Sequence, residues 1–320
     1  MPPQVSVESL LCVLRSFKKQ KSPLLLLLLL SHSLHLYGLD AHESLGNHLV
    51  PMLVKARSLG NAHILFERLL LPNHSSLVSL ILGYVDCGDP MAALMLYERM
   101  PHISAHMSAY VFVALLQACI QLSDLERGCR LHAEISRRDL LDEDLIVGNT
   151  LIGMYIRCGS LSRAQATFEK LAMRDVVSWT MLIGGCSKHN LCQKALEYFE
   201  QMQREGIDPN EVTFVCALKA CGSLGDLDKG REIHAHISWN KEEFDRGLLV
   251  GCALIDMYVK CGALTRASRV SERLFAQDVV SWTTLISGYV KHGHAEEALL
   301  VYEKMQLENV TSNTVTFLAC

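Results

Sequence analysis

Apolar positions in residues 176–210 follow the period of a helix. Trp179, Leu182, Ile183 and Cys186 stand three and four residues apart, which places them on one stripe. His189 and Asn190 interrupt the pattern. Ala195, Leu196, Tyr198, Phe199 and Met202 then form a second stripe, Gly206 offers a cap, and Asp208–Pro209 a stop. The segment predicts two helices of roughly eleven residues each, joined by a short turn.

The same pattern recurs along the chain. VVSWTMLIGGCSKHNLCQKALEYFEQM at 176–202 matches VVSWTTLISGYVKHGHAEEALLVYEKM at 279–305, an offset of 103. LIVGNTLIGMYIRCGSLSRA from Leu145 matches LLVGCALIDMYVKCGALTRA from Leu248, again 103 apart. VFVALLQACIQLSDLERGCRLHAEIS from Val111 matches TFVCALKACGSLGDLDKGREIHAHIS from Thr213, 102 apart. One helical hairpin cannot cover its own apolar faces, but stacked neighbours can, so repetition on this scale predicts an all-α array of helix–turn–helix units. Small residues at fixed phase suit close helix approach: Gly185 and Gly288 in first helices, and Ala164, Ala195, Ala267 and Ala298 in second helices. Trp179, Trp282, Tyr155 and Tyr258 are expected to pack in the core.

The register divides the chain into a tail at 1–6 and nine units at 7–42, 43–73, 74–108, 109–144, 145–175, 176–210, 211–247, 248–278 and 279–313. Residues 314–320, TVTFLAC, match EVTFVCA from Glu211 and open a tenth unit. A chain truncated within a repeat is the expectation.

Composition narrows the function classes. A net charge of −4 and a pI near 6.4 exclude a generally basic nucleic-acid binder, so any anion-binding surface must be local. The twelve cysteines sit within helical patterns, some at matching positions (Cys119 with Cys221, Cys158 with Cys261), and read as small buried hydrophobes in a reducing compartment. No CxxC pair occurs, so neither a structural zinc site nor any other metal is expected. Asn73 and Asn309 open glycosylation-type tripeptides without other secretion signals. Leu24–Leu30 follows Lys18, Lys19 and Lys21 as a targeting segment would. It is too short to span a bilayer and falls where the register expects a second helix. His132-Ala133-Glu134 matches half of a zinc deaminase motif, but the cysteine half is missing. The matching repeat reads His234-Ala235-His236. No phosphate-binding glycine loop or GxSxG occurs, and no catalytic residue is expected.

One charge pattern stands out. The thirteenth residue of each short or standard unit is Lys55, Arg157, Lys188, Lys260 or Lys291, with Asp86 as the exception. Such a periodic stripe suits phosphate contacts; a favourable interaction with the helix dipole is the other reading.

The strings VVSWT-LI-GY, GN-LI-MY-RCGSL-RA and TFV-ALKACGSLGDLDKG-IHAHI resemble pentatricopeptide repeat proteins, of the plant PLS kind that alternates standard, long and short repeats. The resemblance covers residues 7–320. Tetratricopeptide repeats lack a counterpart here, because their Trp-Leu-Gly-Tyr signature is absent. The resemblance implies a right-handed α-solenoid superhelix that binds single-stranded RNA, reading one base per repeat. It implies a mitochondrial or chloroplast setting and a role in organelle RNA processing, foremost as the recognition factor in C-to-U editing. No cofactor and no membrane are implied, and a monomer is expected. Editing cofactors or a deaminase-bearing protein would act in trans, since relatives often carry a C-terminal extension of the E or DYW kind that this chain stops short of.

In the family the fifth and last residues of a repeat read the base. Carried over, these are Asn47 with Asn73, resembling a cytosine reader; Asn149 with Asp175, resembling a uracil reader; and Thr180 with Asn210 and Thr283 with Asn313, resembling adenine readers. Ser44, Ile146, Val177 and Val280 occupy the second position, which sandwiches the base. Val78 with Ser108 and Cys252 with Asp278 match no readable pair, and the long units place Val113 and Val215 at the fifth position. The implied target is 5′-NCNNUANNA-3′. Without the resemblance, these Asn and Asp residues would read as helix caps and turns. The rival classes are a protein–protein scaffold using a solenoid surface, and an inactive truncated member of the family.

Overall fold

The computed structural model describes residues 43–100, 107–240, 248–274, 279–308, 310–312 and 316. The first unit of the sequence division (7–42), the leucine run, Asp278, Asn309 and Asn313 lie outside them. The described residues are helices joined by turns, with no strand among them. They belong to two compact units, one ending at Ser160 and the other beginning at Leu161.

The first unit contains α1 (Glu43–Lys55), α2 (Leu59–Arg68), α3 (His74–Asp86), α4 (Pro90–Arg99), α5 (Ala109–Leu122), α6 (Leu125–Arg137), the short α7 (Leu140–Glu143) and α8 (Leu145–Arg157). The first helices α1, α3, α5 and α8 pack side by side in chain order. Each second helix (α2, α4 and α6) packs on its own first helix and on the next one. Two layers of helices result, with the apolar faces between them.

The second unit repeats this plan. It contains α9 (Leu161–Lys170), α10 (Val176–Lys188), α11 (Cys192–Arg204), α12 (Glu211–Leu224), α13 (Leu227–Asn240), α14 (Leu248–Lys260), α15 (Leu264–Arg273), α16 (Val279–Lys291) and α17 (Ala295–Leu307). Here α10, α12, α14 and α16 form the first-helix layer, with α9, α11, α13 and α15 each packed on the first helix that follows.

The α10–α11 pair shows why the sequence folds this way. Asp175 caps α10 by accepting a hydrogen bond from the Ser178 N–H at 2.8 Å, and the Ser178 hydroxyl answers the Asp175 N–H at 2.9 Å, a capping box. Trp179, Leu182, Ile183 and Cys186 are then fully buried. At the end of α10 the chain turns left-handed at Asn190 (φ 60°), and the Leu191 N–H donates to the Cys186 carbonyl at 2.9 Å. The end of α11 repeats the device with Gly206 (φ 74°), whose N–H reaches the Gln203 carbonyl while Ile207 reaches Met202. This double closure satisfies the orphan carbonyls of the last turn. On α11, Ala195, Leu196, Phe199 and Met202 are buried, and Phe168, Trp179 and Tyr198 make edge and tilted ring contacts at 4.6–6.3 Å. The predicted core aromatics Trp282, Tyr155 and Tyr258 are likewise buried.

Candidate nucleic-acid interface

Helix geometry places the sequence-predicted residues of each repeat on one line. In α10 the second, fifth, ninth and thirteenth residues are Val177, Thr180, Gly184 and Lys188. Steps of three, four and four return to the same face of an α-helix. In α14 the line is Leu249, Cys252, Asp256 and Lys260; in α16 it is Val280, Thr283, Ser287 and Lys291. The apolar and reading positions sit near the N-terminal end of the helix, and the cation lies about 12 Å further along.

The second positions are open to solvent. Ile146, Val177 and Val280 are 46–63% exposed although apolar, and Ser44 is exposed too. Sequence reasoning missed three more. Tyr110, Val212 and Leu249 hold the same position in their repeats and are 50–67% exposed. The repeat register was the signal that could have found them, since each stands one residue after a helix start.

In repeats 43–73 and 176–210 the fifth and last positions are joined by hydrogen bonds, directly or through one hydroxyl. Asn73, Asp175 and Asn210 each cap the helix that follows them, accepting from the N–H of Ser76, Ser178 and Thr213 at 2.8–2.9 Å. The cap engages Oδ1, so Nδ2 of Asn73 and Asn210 has no part in it. Asn47 is 8% exposed; its Oδ1 accepts from the Asn73 N–H (2.8 Å) and the Ser76 hydroxyl (2.7 Å), and its Nδ2 donates to the Leu71 carbonyl (3.1 Å). Thr180 and Thr283 donate to the carbonyls of Val176 and Val279 at 2.6 Å and also contact the hydroxyls of Thr213 and Thr316. Asn149 is half-buried on α8.

Lys55, Arg157, Lys188 and Lys291 end their helices, exposed, and form no ion pair among the described residues. Lys260 differs: its Nζ lies 2.8 Å from Asp256 Oδ2 on the same helix. That carboxylate competes with any anion for Lys260, and Asp256 itself lies on the line described above.

Between α14 and α16 these residues enclose a cleft of about 460 Å³ lined by Val280, Thr283, Thr284, Lys260 and Lys291 among others. An apolar side chain, hydroxyls, the exposed Lys291 and the Lys260–Asp256 pair thus converge on one groove between neighbouring first helices. Its volume lies in the usual range for ligand sites, about 300–1,000 Å³.

Packing accounts for the enzyme-like signals. His132 Nδ1 is 2.7 Å from the Tyr155 hydroxyl, and Glu134 is bound by Arg137 and Arg138. The matching His234 meets Tyr258 at 2.8 Å, so both histidines tie a second helix to the next first helix. Burial pushes the thiols of Cys119 and Cys221 up to about 12, which leaves them protonated packing groups. No group of residues able to hold a metal occurs among the described residues, and no described helix is long and apolar enough to cross a membrane.

Comparisons with known proteins bear on this architecture. The PPR repeat family model matches residues 174–223 and 277–319, and a PPR repeat model matches 75–103. A pentatricopeptide repeat-containing protein of Arabidopsis thaliana is 35% identical over 280 residues, covering 88% of this chain and 38% of that protein. Two others from the same plant, one named mitochondrial and one chloroplastic, are 32% and 33% identical over 285 and 282 residues. Each covers 88% of this chain, which spans 44% and 34% of their lengths. This chain therefore spans less than half of these curated relatives. The crystal structure of the pentatricopeptide repeat protein PPR10 from maize superposes with a TM-score of 0.69 at 16% identity, over 92% of this chain and 43% of that one. The same protein in complex with an 18-nt psaJ RNA element gives 0.66. The fold is an all-α helical repeat solenoid, and the chain belongs to the PPR repeat family.

Proposed function

We propose that this chain binds single-stranded RNA by base recognition, one base per repeat, over the nine repeats between residues 7 and 313. The observation that carries the reading is the α14–α16 cleft, where the apolar Val280, the Thr283 hydroxyl, and the cations Lys260 and Lys291 meet. Val280 would pack on the face of a base, Thr283 would meet its edge, and Lys291 would hold a flanking phosphate, with Lys260 doing so only in competition with Asp256. The RNA complex of the maize PPR10 neighbour supports the ligand class. Relatives named mitochondrial and chloroplastic support an organelle setting, in which C-to-U editing as recognition factor is the process we favour.

Within this reading, Thr180 with Asn210 selects adenine, Asn149 with Asp175 selects uracil, and Asn47 with Asn73 selects cytosine. The capping role of Asn73, Asp175 and Asn210 is compatible with base reading, because a cap fixes the side chain that reads. The chain carries its own test. Thr180→Asn with Asn210→Asp rebuilds at 176–210 the pair found at 149 and 175. The sixth base of 5′-NCNNUANNA-3′ should then switch preference from adenine to uracil by about tenfold, the scale of one base-specific hydrogen-bonding pair. Unchanged preference in a folded double variant would sink base reading at this repeat.

A further inference from the structure

In two of the repeats the two reading residues share one hydroxyl, and it belongs to neither of them. In repeat 176–210 the readers are Thr180 and Asn210. Thr213, the third residue of the next repeat, touches both: its Oγ1 lies 2.6 Å from Thr180 Oγ1 and 2.9 Å from Asn210 Oδ1. In repeat 43–73 the readers are Asn47 and Asn73. Ser76, again the third residue of the next repeat, donates to Asn47 Oδ1 at 2.7 Å or to the Asn73 carbonyl at 2.9 Å. At 279–313 the Thr316 hydroxyl lies 2.8 Å from Thr283 Oγ1. Ser76, Thr213 and Thr316 are all fully buried.

We infer that this third-position hydroxyl of the following repeat is a positioning residue that sets which hydrogen-bonding face each reader turns to a base. The inference rests on the base-reading proposal and extends it to a residue outside the reading pair. Counting protons shows why. Asn47 Oδ1 accepts from the Asn73 N–H and the Ser76 hydroxyl; a flipped amide would orphan the Asn73 N–H and send the Ser76 proton to the Asn73 carbonyl instead. The side chain is held with Oδ1 occupied. One Nδ2 hydrogen goes to the Leu71 carbonyl, and the other remains to act. A donor there suits the N3 and O2 acceptors of a cytosine.

In the second junction Thr180 and Thr213 have one hydroxyl proton each for three close oxygen contacts: Thr180 to Val176 O, Thr180 to Thr213, and Thr213 to Asn210 Oδ1. When Thr180 donates to Val176 it faces a base as an acceptor. When it gives its proton to a base acceptor instead, Thr213 can donate to Thr180 Oγ1 and keep that oxygen satisfied. A residue without a hydroxyl at position 213 removes this exchange. Asn210 is oriented from the same side, because its Oδ1 accepts the Thr213 N–H at 2.9 Å, which leaves Nδ2 as the outward group.

The test compares Thr213→Val, which keeps shape and removes the hydroxyl, with Thr213→Ser, which keeps the hydroxyl. RNAs of the form 5′-NCNNUANNA-3′ with each base in turn at the sixth position are titrated against the full chain, and helical signal and unfolding midpoint are recorded for every variant. Wild type and Thr213→Ser should prefer adenine there by about tenfold. Thr213→Val should lose most of that preference while its affinity for mismatched RNAs stays at the wild-type level. Ser76→Ala, read at the second base, repeats the test at an independent junction should the valine variant not fold. Thr213→Val or a folded Ser76→Ala with undiminished preference would overturn the inference and leave base reading standing. Equal loss in Thr213→Ser and Thr213→Val would also overturn it, by assigning the effect to packing. A wild type with no preference at either position would overturn both proposals.

Discussion

At Asp175 and Asn210 one side-chain oxygen closes the first turn of a helix, a contact worth roughly 1 kcal/mol where measured in other proteins. The residue types and their place just before an apolar stripe made these caps legible in the sequence. Less legible was the state of Asn47, which is buried and bonded to Asn73 at the end of its own repeat and to Ser76 in the next, contacts that follow no spacing within its own helix. Asp124 shows a related pairing with a consequence for acid stability. It caps α6 by accepting from the Arg127 N–H at 3.0 Å and pairs with the Arg127 guanidinium at 2.9 Å. The backbone bond first, and then the guanidinium, hold its carboxyl below the usual carboxylate range. Hydrogen bonding by Arg137, with Arg138 adding to it, does the same for Glu134. A carboxyl depressed on folding stabilises the native state fully above its unfolded value, about 4, and that stabilisation is lost as pH falls through the folded value. Urea midpoints should therefore drop below about pH 5. Asp124→Asn with Glu134→Gln should be less stable than wild type at neutral pH and fall less steeply toward pH 3. Parallel midpoint curves for the two proteins would contradict this assignment.

Helix ends were among the clearest signals at the level of the element. A left-handed residue after each first helix lets the chain reverse within a few residues, and Gly159, Gly262 and Gly293 mark three of these turns. Arg57 and Asn190 adopt the same conformation without being glycine; the break in the apolar stripe marks the turn at Asn190, whereas the one at Arg57 was readable only from the register. Close helix approach was half legible. Gly288 was expected to admit a neighbour because of its phase, and a Cβ there would lie 2.5 and 2.7 Å from the two γ-carbons of Val259. A Cβ at Gly230 would lie 2.5 Å from the Met257 sulfur, a contact that no pattern in the sequence announces. Valine is branched and stiff, whereas methionine can move aside. Gly288→Ala should therefore cost about 1–3 kcal/mol by overpacking. Gly230→Ala should be near neutral, since the helix gains up to about 1 kcal/mol from the exchange itself. Chemical denaturation of the two variants decides, and equal losses would refute the distinction.

For the molecule as a whole, the recurrence near 103 residues carried most of the fold into view. It fixes the phase of every helix pair, and helical geometry then aligns second, fifth and thirteenth positions. Tyr110, Val212 and Leu249 stand exposed on that line, which the register carries but residue type hides, because apolar residues beside a helix start read equally well as core. The sequence did not disclose that Asp256 draws on Lys260, a contact between side chains one turn apart. The stripe of cations in an otherwise acidic chain sets the expected balance between base reading and phosphate attraction. Each phosphate neutralised on a single strand contributes about 0.7 to the slope of log affinity against log salt. Base reading adds a difference between sequences that salt leaves largely intact. The decisive measurement is a titration of the chain at two salt concentrations against 5′-NCNNUANNA-3′ and against the same RNA with its uracil and both adenines exchanged for other bases. Tighter binding to the first at both salts, with both affinities falling as salt rises, is the predicted result. Equal binding to the two RNAs, or binding to neither, would contradict base recognition by this chain.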